Sequence, residues 1–335
     1  MTDTELLQLV RAQGQAAADL HAEADRVRRE TVGEPVHLRA IIEFSSYCRC
    51  HCQYCGLRSD NESLARFRMT PEEVLTACSE VSALGFGTVV FQSGEDEWWT
   101  AERLAHLIVE VKRRTPLAIT LSVGEREDWE YRLWRAASAD RYLLKHETAN
   151  PELYQRLHPG ASYDNRRRCQ ETLFDLGYQV GSGCIVGLPG QTPEMLAEDL
   201  RLIETRQFHM TGIGPLIPHA ATPLGGCPVG SVPLTLNVMA LIRLLVPDVM
   251  LPATTALETA EPGARSRALR AGANVLMPNL TPRRFASFYE IYPGKKAPAL
   301  TLAQEVDRTK EIVEAAGRPL GTGPGHSPRA RPRPT

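Results

Sequence analysis

Apolar positions along this chain follow two alternating rhythms. Short runs rich in β-branched and aromatic residues (LRAIIEFS, TVVFQSGED, LAITLSVGE, RYLLKHE, YQVGSGCIVGLPG, MTGIGPLIP, VMLPATTAL and ANVLMPNL) are bounded by Gly, Pro or polar residues. Between them lie stretches with apolar residues at helical spacing, such as TPEEVLTACSEVSALGFG and TAERLAHLIVEVKRR. The first kind predicts strands and the second helices. Thr70, Pro71 and Glu73 make a capping-box signature at the start of one helix. Further helices are expected from about Asp128 to Ala137 and around NRRRCQETLFDLG. Strands that alternate with helices pair in parallel, and eight such units close into an α/β fold, the (β/α)8 TIM barrel of about 250 residues. The barrel is expected over residues 36–296. Residues 1–35 predict a charged helical extension packed beneath it, and 297–320 a C-terminal helix closing it. Residues 321–335, rich in Pro, Gly and Arg, predict a disordered basic tail, read as solubilising coil rather than a nucleic-acid contact.

Charge narrows the partners. Lys and Arg number 38 against 40 Asp and Glu, a formal net charge of −2, too weak a field to direct the chain to nucleic acid or a membrane surface. No apolar run nears the roughly 20 residues that cross a bilayer. The opening MTDTELLQLVRAQG lacks the apolar segment of a signal peptide. A cytoplasmic protein is expected, and in that reducing compartment disulfides are disfavoured.

The eight cysteines then call for metal chemistry. Four fall within CRCHCQYC, directly after the first predicted strand, at the end of a barrel where active sites lie. Cys48, Cys52 and Cys55 have the spacing C-x3-C-x2-C, with Tyr54 just before the last and Cys50 as a spare. Three thiolates can hold three irons of a 4Fe–4S cluster and leave the fourth iron open to an outside ligand. The alternative is a non-catalytic zinc site of Cys48, Cys50, Cys52 and Cys55. No second pair of Cys or His follows at zinc-finger spacing.

The C-x3-C-x2-C loop resembles that of the radical S-adenosylmethionine (SAM) superfamily. FRMTPEEV, QSGED, TLSVGE, DRYLLKHETANP, GLPGQT, GIGPLIPH, PATTA, GANVLMPN and YPGK, in this order, further resemble the FeFe-hydrogenase maturase family, HydE, within the biotin synthase-like group. The resemblance covers residues 36 to 296. It implies one 4Fe–4S cluster on Cys48, Cys52 and Cys55, with SAM chelated at the open iron and cleaved to a 5′-deoxyadenosyl radical. Ser93 and Gly94 would meet the SAM amino group with Glu95 beside them. Glu147 would take the ribose hydroxyls, Arg166 the carboxylate, and Gly187 the adenine region. Tyr54, Ser122, Lys145 and Pro215 complete that cofactor set. Lys145 stands where Arg is common, which keeps charge but loses the planar fork. Arg167 and Arg168 read as a solvated helix face, and His146 and Cys184 as packing residues. Arg39, Gln92, Thr120, Thr254, Thr255, Met277, Tyr289 and Tyr292 would line the barrel's lower interior as a polar substrate chamber, with Pro278 and Asn279 at its rim.

Two departures stand out. Many family members carry three further cysteines for an accessory cluster, whereas Cys227 is the last here. TTALET has Leu257 and Glu258 where Met and Gly are frequent. The implied activity is maturation of the FeFe-hydrogenase di-iron site on a small cysteine-bearing iron carbonyl–cyanide precursor. The implied partners are a ferredoxin or flavodoxin donor, a tyrosine-cleaving radical SAM enzyme and a GTPase scaffold. The competing activity is that of a radical SAM mutase or sulfur-inserting enzyme, like methylornithine synthase or biotin synthase.

Overall fold

A strand buried on both faces needs helices outside it and other side chains within. The run Ala40–Ser45 meets that demand, with all six residues buried. The computed structural model describes residues 1–293 and 300–330. Its strands, in chain order, are β1 (His37–Leu38), β2 (Ala40–Ser45), β3 (Thr88–Ser93), β4 (Ala118–Ser122), β5 (Arg141–Leu143), β6 (Gln179–Ser182), β7 (Ile185–Val186), β8 (Met210–Thr211), β9 (Gly214–Pro215) and β10 (Val275–Leu276). β2, β3, β4, β5, β6 and β8 pair in that order, all parallel. The ring closes through parallel bridges Met210↔Met250 and Pro252↔Val275, and through β10 against β1. The seventh strand is thus reduced to isolated bridges, because Pro252 brings no N–H to the ladder. The (β/α)8 barrel is present.

The helices outside follow from local chemistry. Thr70 caps Pro71–Ala83 with Glu73 completing the box, which satisfies amide donors that the first turn leaves free. Ala101–Arg114 buries Leu104, Leu107, Ile108 and Val111 against the strands, one stripe at helical spacing. Pro151–Leu157, capped by Asn150, is a short helix absent from the sequence-based expectation.

The ends of the chain differ from expectation. Residues 1–35 form helices Asp3–Val10 and Gly14–Val32, but these pack against the outer helices Pro193–Arg206 and Val232–Leu245 rather than beneath the barrel. Their buried residues Leu6, Val10, Leu20 and Ala24 join the main core. Helix Leu302–Ala315 lies on the outer helix Ala264–Arg270, so it does not close the barrel. The floor is instead covered by residues 321–330, which were expected to be disordered. Gly and Pro cannot build a core, yet their carbonyls serve buried cations. Arg39 Nη2 donates to Gly325 O (2.9 Å) and Arg141 Nη2 to Pro324 O (2.7 Å). Thr88 also donates to Pro324 O (2.8 Å), and Ser327 N to Gln179 Oε1 (2.9 Å). Residues 331–335 of the expected tail, and the expected boundary at 296–297, lie outside the described residues. Among the described residues no helix is long and apolar enough to cross a membrane.

Candidate active site

The mouth of the barrel is built from the loops that follow the strands. The loop after β2 carries Cys48, Cys50, Cys52 and Cys55, all free and part-buried. Cys48 Sγ accepts from the backbone N–H of Cys50 (3.5 Å) and of Glu95 (3.4 Å), which ties the loop to the end of β3. The Cys50 thiol is hydrogen-bonded to both Cys48 and Cys52. Among the described residues no three of these thiols have sulfurs within 4.8 Å of one another. Three thiols on one loop, spaced C-x3-C-x2-C, offer the donor set of an iron–sulfur group.

Gly94 is pressed against this loop. A Cβ there would meet Tyr47 O at 2.3 Å and Cys48 Cβ at 2.5 Å, so only glycine fits. Ser93 Oγ donates to Gly94 O. Glu95 takes the N–H of Glu125 (2.8 Å) and pairs with Arg49 (3.0 Å). Ser122 ends β4 beside them. Lys145 and Glu147 follow β5 and pair at 3.1 Å. Burial pulls the Glu147 carboxyl up, but Lys145, His158 and Arg166 outweigh it, and the net shift is downward. It is therefore held as the anion. Glu147 has φ of 64°, and Thr148 N donates across it to His146 O (2.8 Å). This is a γ-turn of the rare, strained positive-φ kind.

Arg166 reaches the same mouth from helix Tyr163–Asp175. Its Nε donates to Glu125 Oε1 (2.5 Å) and its Nη1 to Lys145 O (2.7 Å). Asn165 holds the other Glu125 oxygen (2.5 Å). Arg168 pairs outward with Asp128 on the exposed helix face. Tyr54 Oη lies 2.9 Å from His158 Nε2. Burial, and then Arg166, pushes His158 down to about 4, so its ring is neutral near pH 7. Gly187, at φ of 89°, passes so close to Gly230 that a Cβ would lie 2.6 Å from its Cα. Pro215 is in β9, which pairs with β7 beside Gly187.

Below the mouth, Gln92 is hydrogen-bonded to Tyr289, whose phenol is pushed well up by burial and then by Glu43. Tyr292, hydrogen-bonded to Thr259, is raised by the same two causes. Both keep their protons and present O–H groups. Thr120 is buried with no partner for its hydroxyl. Thr254 donates to Ile213 O (3.0 Å) and Thr255 opens the helix Thr255–Ala260. Met277 packs beside Met210, Met250 and Val275. Arg39 lies at the lower end of the interior, with Nη1 2.8 Å from Met210 Sδ and Nη2 on Gly325, opposite the cysteines.

Sequence reasoning missed Glu125, Glu43 and His158. Glu43 is fully buried on β2 and takes Asn279 Nδ2 (2.9 Å). A lone acid in an apolar strand run, IIEF, was its available signal. Glu125, in a polar loop, carried none.

A cysteine loop at the C-terminal mouth of a parallel barrel is the arrangement of a radical SAM enzyme, and the Radical SAM superfamily model matches residues 42–203. The fold agrees. A solved structure of methylornithine synthase (PylB) superposes with a TM-score of 0.83 at 26% identity, covering 96% of this chain and 94% of that one. More particularly, the chain belongs to the HydE maturase family. It is 50% identical over 298 residues to the FeFe-hydrogenase maturase subunit HydE of Thermotoga maritima, which spans 89% of this chain and 85% of that protein. The 3-methylornithine synthase of Methanosarcina barkeri is 30% identical over 285 residues, 84% of this chain and 80% of that one.

Proposed function

We propose that this chain matures the di-iron centre of FeFe hydrogenase, with Cys48, Cys52 and Cys55 holding one 4Fe–4S cluster that leaves an iron open to SAM. The observation that carries the reading is the loop of Cys48, Cys52 and Cys55 directly after β2, at the end of the barrel where this fold does chemistry, in a chain 50% identical to a HydE maturase. When bound, the cluster supplies one electron and SAM the 5′-deoxyadenosyl radical.

The chain's own residues hold and orient. Ionised Glu147 offers acceptor oxygens to ribose hydroxyls, and its partner Lys145 keeps the buried charge tolerable. Arg166, fixed by Glu125 and the Lys145 carbonyl, presents its guanidinium to the amino-acid carboxylate. Gly94 and Gly187 let backbone approach where a side chain would block it. Gln92, Thr120, Tyr289 and Tyr292 give the chamber neutral hydrogen-bonding groups. These suit a small polar substrate, which we assign as a cysteine-bearing iron carbonyl–cyanide species. The covered floor excludes water from that side. We place the enzyme in the cytoplasm, with a ferredoxin or flavodoxin as electron donor, and with a tyrosine-cleaving radical SAM enzyme and a GTPase scaffold as pathway partners.

The test is anaerobic incubation of reconstituted protein with SAM, reductant and the iron–cysteine precursor. Precursor-dependent adenosylated product is expected. SAM cleavage that ignores the precursor but responds to an amino acid such as lysine would overturn the assignment in favour of mutase chemistry.

A further inference from the structure

Outside the barrel wall, behind Glu147, lies a fully buried chain of polar groups that touches no candidate substrate. Ser182 Oγ accepts from the backbone N–H of His146 (3.2 Å) and from Gln170 Nε2 (2.8 Å). It also lies 2.8 Å from His146 Nδ1. A hydroxyl has two lone pairs and one proton. Both lone pairs are taken, so the proton goes to Nδ1. With Nδ1 accepting, the ring proton of His146 is at Nε2, which faces Asp199 Oδ1 at 3.3 Å, an ion-pair distance outside hydrogen-bond geometry. The same Oδ1 accepts the N–H of Ala149 at 2.5 Å. His146, Ser182 and Asp199 are all inaccessible to solvent.

These contacts bracket one residue. Glu147 N donates to Gly183 O and Ile185 N to Glu147 O, both at 3.0 Å. Ser182 fixes the backbone on one side of the turn and Asp199 on the other. A strained turn persists only where its surroundings over-determine it.

We propose that Asp199, His146 and Ser182 are positioning residues, a buried clamp that holds the strained turn and so aims the Glu147 carboxylate into the barrel mouth. The proposal rests on the assignment of Glu147 to SAM made above. His146, Cys184 and Asp199 also have the proximity of a metal-ligating set, and His146 Nε2 and Asp199 Oδ2 lack a hydrogen-bond partner among the described residues; the clamp itself needs only the contacts from Ser182 and Asp199 to the two sides of the turn.

The experiment measures SAM affinity of anaerobically reconstituted variants, and hydrogen exchange at residues 147–149 in the cluster-free protein. Asp199→Ala is expected to weaken SAM binding by about 10-fold or more, the loss of one hydrogen bond to a charged group, at unchanged iron content. Exchange at the Ala149 amide should accelerate. Asp199→Asn keeps the carbonyl that Ala149 needs, and should restore most of the affinity. Wild-type affinity and exchange in Asp199→Ala would overturn the clamp. If Asp199→Ala does not fold, Ser182→Ala should shift affinity and exchange the same way by a smaller factor, and no shift in either overturns the clamp equally. Glu147→Gln separates the two assignments. If it binds SAM normally the site assignment fails, while the exchange arm still tests the clamp. One zinc per chain, lost in Cys184→Ala, would overturn it in favour of a metal site.

Discussion

Gly94→Ala puts a methyl group where the structure has none to spare. The new Cβ would sit 2.3 Å from Tyr47 O, 2.5 Å from Cys48 Cβ and 3.0 Å from Cys48 Cα. Ordinary contact begins at 3.4 Å, so the end of β3 and the cysteine loop must part by about 1 Å. None of the three atoms is the far end of a flexible side chain. Two separate consequences follow. Overpacking of this kind costs about 1–3 kcal/mol. With an unfolding entropy of about 2.1 cal/mol/K per residue over 335 residues, the melting temperature should fall by only about 1.5–4 °C. The effect on the site is larger, because about 1 Å of misplacement at a functional centre can cost about 100-fold. Cys48 Sγ would lose its hydrogen bond from Glu95 N, now 3.4 Å. The assay combines thermal unfolding of the cluster-free protein, iron and sulfide content after anaerobic reconstitution, and SAM titration. A well-folded variant with depleted iron or a SAM affinity reduced by about 10- to 100-fold is expected. Full iron content with wild-type SAM affinity would refute the claim that this contact sets the loop.

Further outcomes are expected. Cys50→Ser should retain cluster and SAM cleavage while Cys52→Ser loses both; equal loss of iron in the two would show that the ligand set is misassigned. Arg166→Ala should weaken SAM binding and leave iron content intact, as read by titration, and Glu125→Ala should destabilise the fold by about 3 kcal/mol by stripping a buried cation of its partner, as read by denaturant unfolding. His158 sits at about 4 against the usual 6.5, so its neutral form is favoured in the folded state only. Stability should therefore be intact above pH 6.5 and fall by about 3 kcal/mol as pH drops toward 4; His158→Gln should flatten that slope in unfolding curves at pH 7 and 5. Truncation after Leu320 should lower the melting temperature by several degrees, since about 1–3 kcal/mol follows each buried donor left without an acceptor, with iron content unchanged.

What was legible in the sequence was whatever local chemistry decides. The capping box at Thr70, the apolar stripe of Ala101–Arg114 and the Cys48–Cys55 spacing need no distant partner to be read. Glu125 was not legible, because its meaning comes from Arg166, 41 positions on. Arg39 was legible as a cation of the lower interior, but its partners were not, because period two along a strand tells which face a residue takes and not which distant carbonyl it meets. Residues 321–330 were misjudged because composition measures what a segment can bury by itself. It does not reveal what another segment needs covered.

That covering has a consequence for how the molecule is made. Arg39 waits for a carbonyl 286 positions further on, and Arg141 for one 183 positions on. During synthesis both guanidiniums must stay hydrated, and the underside of the cylinder open, long after the strands bearing them have left the ribosome. The final sealing is thus a late event. A ribosome that stalls before Gly325 releases a chain whose first strand is still wet at its base.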